Sequence, residues 1–102
     1  KIIVSALTYS TVYYLLSRLE DKELVKEKIR KFKVIAETSN LTDKIIDKAL
    51  SSKFKDFEDS LQYYCALEMR CNMIITRNVK DFKESEILIL TPNEYLKSLK
   101  NK

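Results

Sequence analysis

Glycine and histidine are both absent from this chain, and proline occurs once. Without glycine there is no glycine-rich phosphate loop of the dinucleotide-binding or P-loop kind. Without histidine there is no Ser-His-Asp triad, no histidine general base and no histidine-ligated zinc. Cysteine occurs twice, as Cys65 and Cys71. Two thiols are too few for a structural zinc site and form no disulfide framework, which points to reduced thiols in a cytoplasmic protein. No apolar run approaches the ~20 residues of a membrane span, so no membrane association is expected. The first residues lack the cationic region and apolar helix of a signal peptide. Any chemistry is left to carboxylates, hydroxyls, Lys, Arg and bound ions.

What is present is the composition of a globular domain: 102 residues, 45% hydrophobic and 33% charged. That length predicts a single domain over residues 1–102. The formal charge of +4 permits contact with a polyanion without requiring it. Residues 1–5 read as a short β-branched strand. Because the chain opens on that strand, it is expected to begin inside the domain, with a segment N-terminal to it removed or never ordered. Thr8 or Ser10 can cap a first helix with Val12, Leu15, Leu16 and Leu19 as its apolar stripe. A second helix is predicted over 21–33, with Leu24, Val25, Ile29 and Phe32 inward and a solvated face rich in Lys.

A strand is predicted over 34–36. Thr42 then caps a short helix with Ile45, Ile46, Ala49 and Leu50 inward. Residues 51–55 form a polar connector, and residues 59–70 a further helix. Strands are predicted over 73–76 and 87–90. Thr91 and Pro92 open a closing helix, as N-cap and first helical residue, with Glu94 in the first turn. Short apolar strands alternating with helices predict a three-layer α/β/α sandwich with a mainly parallel sheet.

The chemistry-bearing stretches are Asp56-Phe57-Glu58-Asp59-Ser60-Leu61-Gln62 and Met73-Ile74-Ile75-Thr76-Arg77-Asn78-Val79-Lys80-Asp81-Phe82. In an open α/β sheet, the strand C-termini and the following helix N-termini face one crevice, where ligands bind. Acids gathered there repel one another unless a cation sits among them, and hard divalent ions take carboxylate oxygens. Taken alone, capping explains Asp56, Glu58 and Asp59 better than metal binding does. Asp81 stands in a turn, where Asp is common, and Thr76, Arg77 and Asn78 read equally as turn formers. Tyr63 and Tyr64 read as packing residues rather than base-stacking platforms. The order and combination of these motifs carry the functional signal.

That combination resembles the PIN domain, a family of metal-dependent ribonucleases that includes many toxins of toxin–antitoxin pairs. The resemblance runs over nearly all of the chain. Ser5-Ala6-Leu7-Thr8 is similar to the segment after the family's second strand. Asp56-Phe57-Glu58-Asp59-Ser60-Leu61-Gln62 resembles its Asp-Phe-Glu-Asp-Ala-Leu-Gln motif. Ile74-Ile75-Thr76-Arg77-Asn78-Val79-Lys80-Asp81-Phe82 resembles its strand-Thr-Arg-Asn-x-x-Asp-Phe motif. Leu90-Thr91-Pro92-Asn93-Glu94-Tyr95-Leu96 resembles its ending. Two departures stand out. The Asp-Thr-Asn that closes the family's first strand has no counterpart, and Thr11 occupies the position of a helical acid.

The resemblance implies RNA as substrate, phosphodiester hydrolysis as reaction, and Mg2+ or Mn2+ as cofactor. It implies Asp59 and Asp81 as catalytic and metal-holding residues, Asp56 as an auxiliary ligand, and Thr76, Asn78 and Thr11 as polar residues beside them. It also implies an antitoxin protein as partner. An unpaired sheet edge would favour a homodimer. Half of the family's usual acidic set is missing. The 102 residues alone are therefore expected to bind divalent metal weakly and to cleave RNA poorly, because fewer carboxylates hold such an ion less well. The rival reading is a PIN-like module that has lost its metal site and serves as an RNA-binding or protein-interaction scaffold. A receiver-type phosphoacceptor domain also gathers acids at strand ends, but its Lys and acidic pair are not found in order.

Overall fold

A computed structural model describes residues 2–83 and 85–100; the strand expectation at Lys1 lies outside them. The chain divides into two compact units, Lys1–Leu41 and Thr42–Lys102.

In the first unit, strand β1 (Ile2–Ser5) runs directly into helix α1 (Ala6–Leu16). Helix α2 (Lys22–Lys33) follows, then strand β2 (Ala36–Ser39). β1 and β2 pair in parallel, from Ile2 opposite Ala36 to Ser5 opposite Ser39. The intervening helices provide the long crossover that parallel strands require. The cap of α1 is Ser5, not Thr8 or Ser10: its Oγ accepts the Thr8 N–H at 3.3 Å and lies 3.0 Å from Thr8 Oγ1. The helix ends at Leu16. Leu19 therefore falls beyond the helix and is 82% exposed. The expected apolar stripe of α1 contains no buried residue.

Asp21 caps α2 by accepting the N–H groups of Glu23 and Leu24. Only Val25 of its four expected inward residues is buried; Ile29 is half-buried, and Leu24 and Phe32 are exposed. Strand β2 begins two residues later than expected. The N–H groups of Val34 and Ile35 donate to Lys31 and Phe32 carbonyls, closing α2, so these residues are not free to enter a ladder. Both are exposed as a result.

In the second unit, Thr42 caps helix α3 (Asp43–Leu50), its Oγ1 accepting the Ile45 N–H at 3.2 Å. Ile45 and Ala49 are buried as their spacing predicts, whereas Ile46 and Leu50 face out, the latter 68% exposed. Helix α4 (Phe57–Glu68) packs against α3. It begins two residues before the expected start because Asp56 rather than Asp59 is its N-cap. It buries Ser60, Leu61, Tyr63, Cys65 and Ala66. Its end is a Schellman motif: Cys71 N–H donates to Ala66 O and Arg70 N–H to Leu67 O. Arg70 takes the left-handed conformation that this motif requires, with φ of 57°.

Strand β3 (Met73–Ile75) and strand β4 (Leu88–Leu90) pair in parallel, with Met73 opposite Leu88 and Ile75 opposite Leu90. Thr76 lies just past β3 but still donates its N–H to Leu90 O at 2.9 Å. A 3-10 turn, Val79–Phe82, follows β3. Helix α5 (Pro92–Lys100) closes the chain. Its capping box is reciprocal: Thr91 N–H donates to Glu94 Oε1 at 2.9 Å, and Glu94 N–H to Thr91 Oγ1 at 3.1 Å. The α/β class and the parallel pairing of strands are thus those expected, but among the described residues the strands form two two-stranded ladders, β1–β2 and β3–β4, and not the one sheet predicted from all four.

Candidate functional site

The site is built in the second unit, where α4 and the 3-10 turn pack together. Asp56 precedes α4, and its Oδ1 accepts the Asp59 N–H at 2.9 Å. That bond fixes the first turn and commits Asp56 to capping. Asp59 stands three residues on, half-buried. Below it, Ser60 is fully buried and donates its hydroxyl to Phe57 O at 2.6 Å. The serine thus satisfies its own polar group within the helix and adds nothing to the acids.

The second wall comes from the turn after β3. Thr76 Oγ1 accepts the Asn78 N–H at 3.0 Å, and Asn78 O accepts the Asp81 N–H at 2.9 Å. These bonds shape the 3-10 turn and present Asp81 at its third residue. The next residue, Phe82, is buried and holds the turn against α4. Asp81 is therefore exposed on an anchored backbone.

The carboxyl groups of Asp59 and Asp81 lie within hydrogen-bond reach of each other, and Asp59 is raised from 3.8 to about 6. Partial burial is the largest cause. The negative charges of Asp56 and then Asp81 follow, with the hydrogen bond to Asp81 and the charge of Glu58 after them. Asp59 keeps its proton to higher pH than a free carboxyl because it is partly withdrawn from water and faces neighbouring negative charge. A cation would relieve the same excess. In kind, the donor set fits a hard divalent ion, which takes carboxylate oxygens and keeps water for its other positions. In number it is sparse: among the described residues no group of three or more His, Cys, Asp or Glu is disposed to hold a metal ion.

The site residues expected from the sequence fall into three groups. Asp59 and Asp81 meet. Asp56 caps the helix that carries Asp59, and Thr76 and Asn78 shape the turn that carries Asp81. Thr11 lies half-buried in α1, in the first unit. Sequence reasoning did not single out Phe82 or Phe54. Phe82 lies edge-on to Phe54, with ring centroids 5.8 Å apart, and it fixes the turn that carries Asp81. An aromatic directly after an acidic turn residue was the available signal.

A family model described as PIN domain matches residues 1–80. The chain is 33% identical over 98 residues to Ribonuclease VapC1 of Aquifex aeolicus (strain VF5), an alignment that covers 92% of this chain and 67% of that protein. No solved structure gives a significant match.

Proposed function

The chain belongs to the PIN-domain family, and on that premise we propose that it is a metal-dependent ribonuclease, the toxin of a toxin–antitoxin pair. The observation that carries this reading is the facing pair Asp59 and Asp81, which concentrates negative charge at one point of the second unit. The substrate is RNA and the reaction phosphodiester hydrolysis. Asp59 and Asp81 hold Mg2+ or Mn2+, with Asp56 adding its charge from the cap. A divalent ion bound there supplies phosphate neutralisation and a water of lowered pKa.

The remaining work falls to the chain itself. Thr76 and Asn78 keep the turn in the shape that aims Asp81 at Asp59. Lys55, Arg77 and Lys80 stand exposed beside the acids in sequence and meet the phosphate backbone, giving salt-sensitive binding without base readout. The reading also includes an antitoxin partner, a homodimer and a cytoplasmic setting. Among the described residues no helix is long and apolar enough to cross a membrane.

A second reading is a non-catalytic PIN-like module that binds RNA or protein. It is favoured by the sparse donor set among the described residues and by Thr11 where the family has an acid. Cleavage of a labelled single-stranded RNA in Mn2+ by the full-length protein separates the two. Under the nuclease reading, cleavage stops in EDTA and falls at least ~100-fold in Asp59→Asn and Asp81→Asn, a loss of about 2.7 kcal/mol in barrier lowering. RNA binding with no Mn2+-dependent cleavage selects the module.

A further inference from the structure

The second unit contains a cavity of about 380 Å3 that the proposed chemistry leaves unused. It opens between the connector at 51–55 and helix α4, lined by Ser52, Lys53, Phe54, Tyr63, Tyr64 and Glu86 among others. Its aromatic rings form a cluster. Phe54 and Tyr63 have centroids 5.1 Å apart, Tyr63 and Tyr64 5.2 Å, and Phe54 and Tyr64 6.5 Å. Tyr63 is 4% exposed and forms the floor. Phe54 and Tyr64 are half-buried and offer the cavity their open ring surface.

The polar groups narrow the choice of occupant. The Tyr63 hydroxyl accepts the Glu86 N–H at 3.1 Å, which leaves its own proton to donate. Lys53 brings a cation to the rim and Glu86 a carboxylate; both are exposed. An aliphatic side chain entering here would cover these groups without pairing them, which is unfavourable. A nucleobase has a π-face for the rings, donors and acceptors on its edge, and a phosphate one bond system away for the lysine.

Position ties the cavity to the acids. Tyr63 follows Asp59 by one helical turn on the same face of α4, about 6 Å along the axis. Phe54, in the cavity wall, packs on Phe82, the residue after Asp81. The two sites share helix α4 and are linked by the Phe54–Phe82 contact, so one short strand can span them. Building on the ribonuclease reading, we propose that this cavity receives one unstacked base of the RNA, stacked on Tyr64 with its edge against Phe54, and a neighbouring phosphate on Lys53.

The test is fluorescence anisotropy in EDTA, which prevents cleavage, with a labelled single strand of about eight nucleotides and an abasic strand of the same length. Tyr64→Leu is expected to weaken binding of the intact strand about tenfold, within the range of base–aromatic stacking, and to leave the abasic strand unchanged. Tyr64→Phe should keep the affinity, and Lys53→Ala should weaken both strands. Equal affinity of wild type and a folded Tyr64→Leu for the intact strand overturns the proposal. If Tyr64→Leu melts markedly lower, Lys53→Ala at its exposed position decides, and no weakening by it overturns the proposal. Base-dependent binding by a wild type that cleaves nothing in Mn2+ keeps the subsite and removes the nuclease. Cleavage with base-independent binding does the reverse.

Discussion

The two units are held together differently. Among the described residues, the first unit buries Val25 as its apolar core, beside Ser5 and Ser39, while α1 buries none. The second buries Ile45, Ala49, Leu61, Tyr63, Cys65, Ala66 and Phe82. The first is held by its β1–β2 ladder and otherwise by local contacts: caps at Ser5 and Asp21, and exposed ion pairs such as Lys28–Glu20 at 2.6 Å and Arg30–Glu27 at 2.7 Å. Such exposed pairs each contribute little. The second unit is stabilised by packing, and it carries the facing acids. The residues directly after the two acids, Ser60 and Phe82, are buried and anchor the backbone that carries them.

Core truncation is expected to separate the units most clearly. Ile45→Ala should lower unfolding free energy by about 2–4 kcal/mol, since it empties a fully enclosed site. Leu19→Ala, at a residue 82% exposed, should change it by less than ~0.5 kcal/mol. Urea denaturation followed by circular dichroism measures both, and equal losses would break the contrast. Cap removal should erase the contrast instead. Thr42→Ala and Asp21→Ala should each cost about 1 kcal/mol, because a cap answers to its own helix and not to the depth of the core around it.

The pH response should be smaller and confined to the second unit. Asp59 is raised from 3.8 to about 6, so the folded chain keeps a proton there that the unfolded chain releases at lower pH. The stability gained is complete below about pH 4 and lost as pH rises through about 6. At a half-exposed group, solvent screening holds the effect below ~1 kcal/mol. Melting in EDTA at pH 4.5 and pH 7.5 should show a difference that Asp59→Asn removes. Mn2+ at pH 7.5 should raise the melting temperature of the wild type by binding the folded state.

Legibility in the sequence follows the same division. Thr42, Thr91, Pro92 and Glu94 announced their helices correctly because capping is decided within four residues. Asp59 and Asp81 were not readable in that local way: each alone reads as a cap or turn residue, and only the order of the two motifs and their family resemblance set them together. The inward faces were less readable in the first unit. Leu15, Leu19, Leu24 and Phe32 have helical spacing, yet spacing says which residues share a face and not whether anything covers it. The start of β2 was missed because Val34 and Ile35, good strand formers, spend their amides on closing α2. Phe54 escaped notice because a lone aromatic in a polar connector acquires meaning only when Tyr63 and Phe82 arrive beside it.

Arg70 shows what a chain without glycine accepts. At the end of α4 it holds φ of 57°, a conformation that disfavours any residue with a Cβ. The turn into β3 is thus made by a residue ill suited to it, and the second unit stands below the stability its own backbone would allow. Selection has left that margin unclaimed, as it does wherever a protein already folds well enough. A library randomised at this codon and screened for thermal tolerance should return Gly and Asn, with Arg70→Gly gaining about 0.5 kcal/mol once glycine's greater unfolded freedom is counted. Recovery of Arg alone would mean that its side chain has a use that outweighs the backbone it distorts.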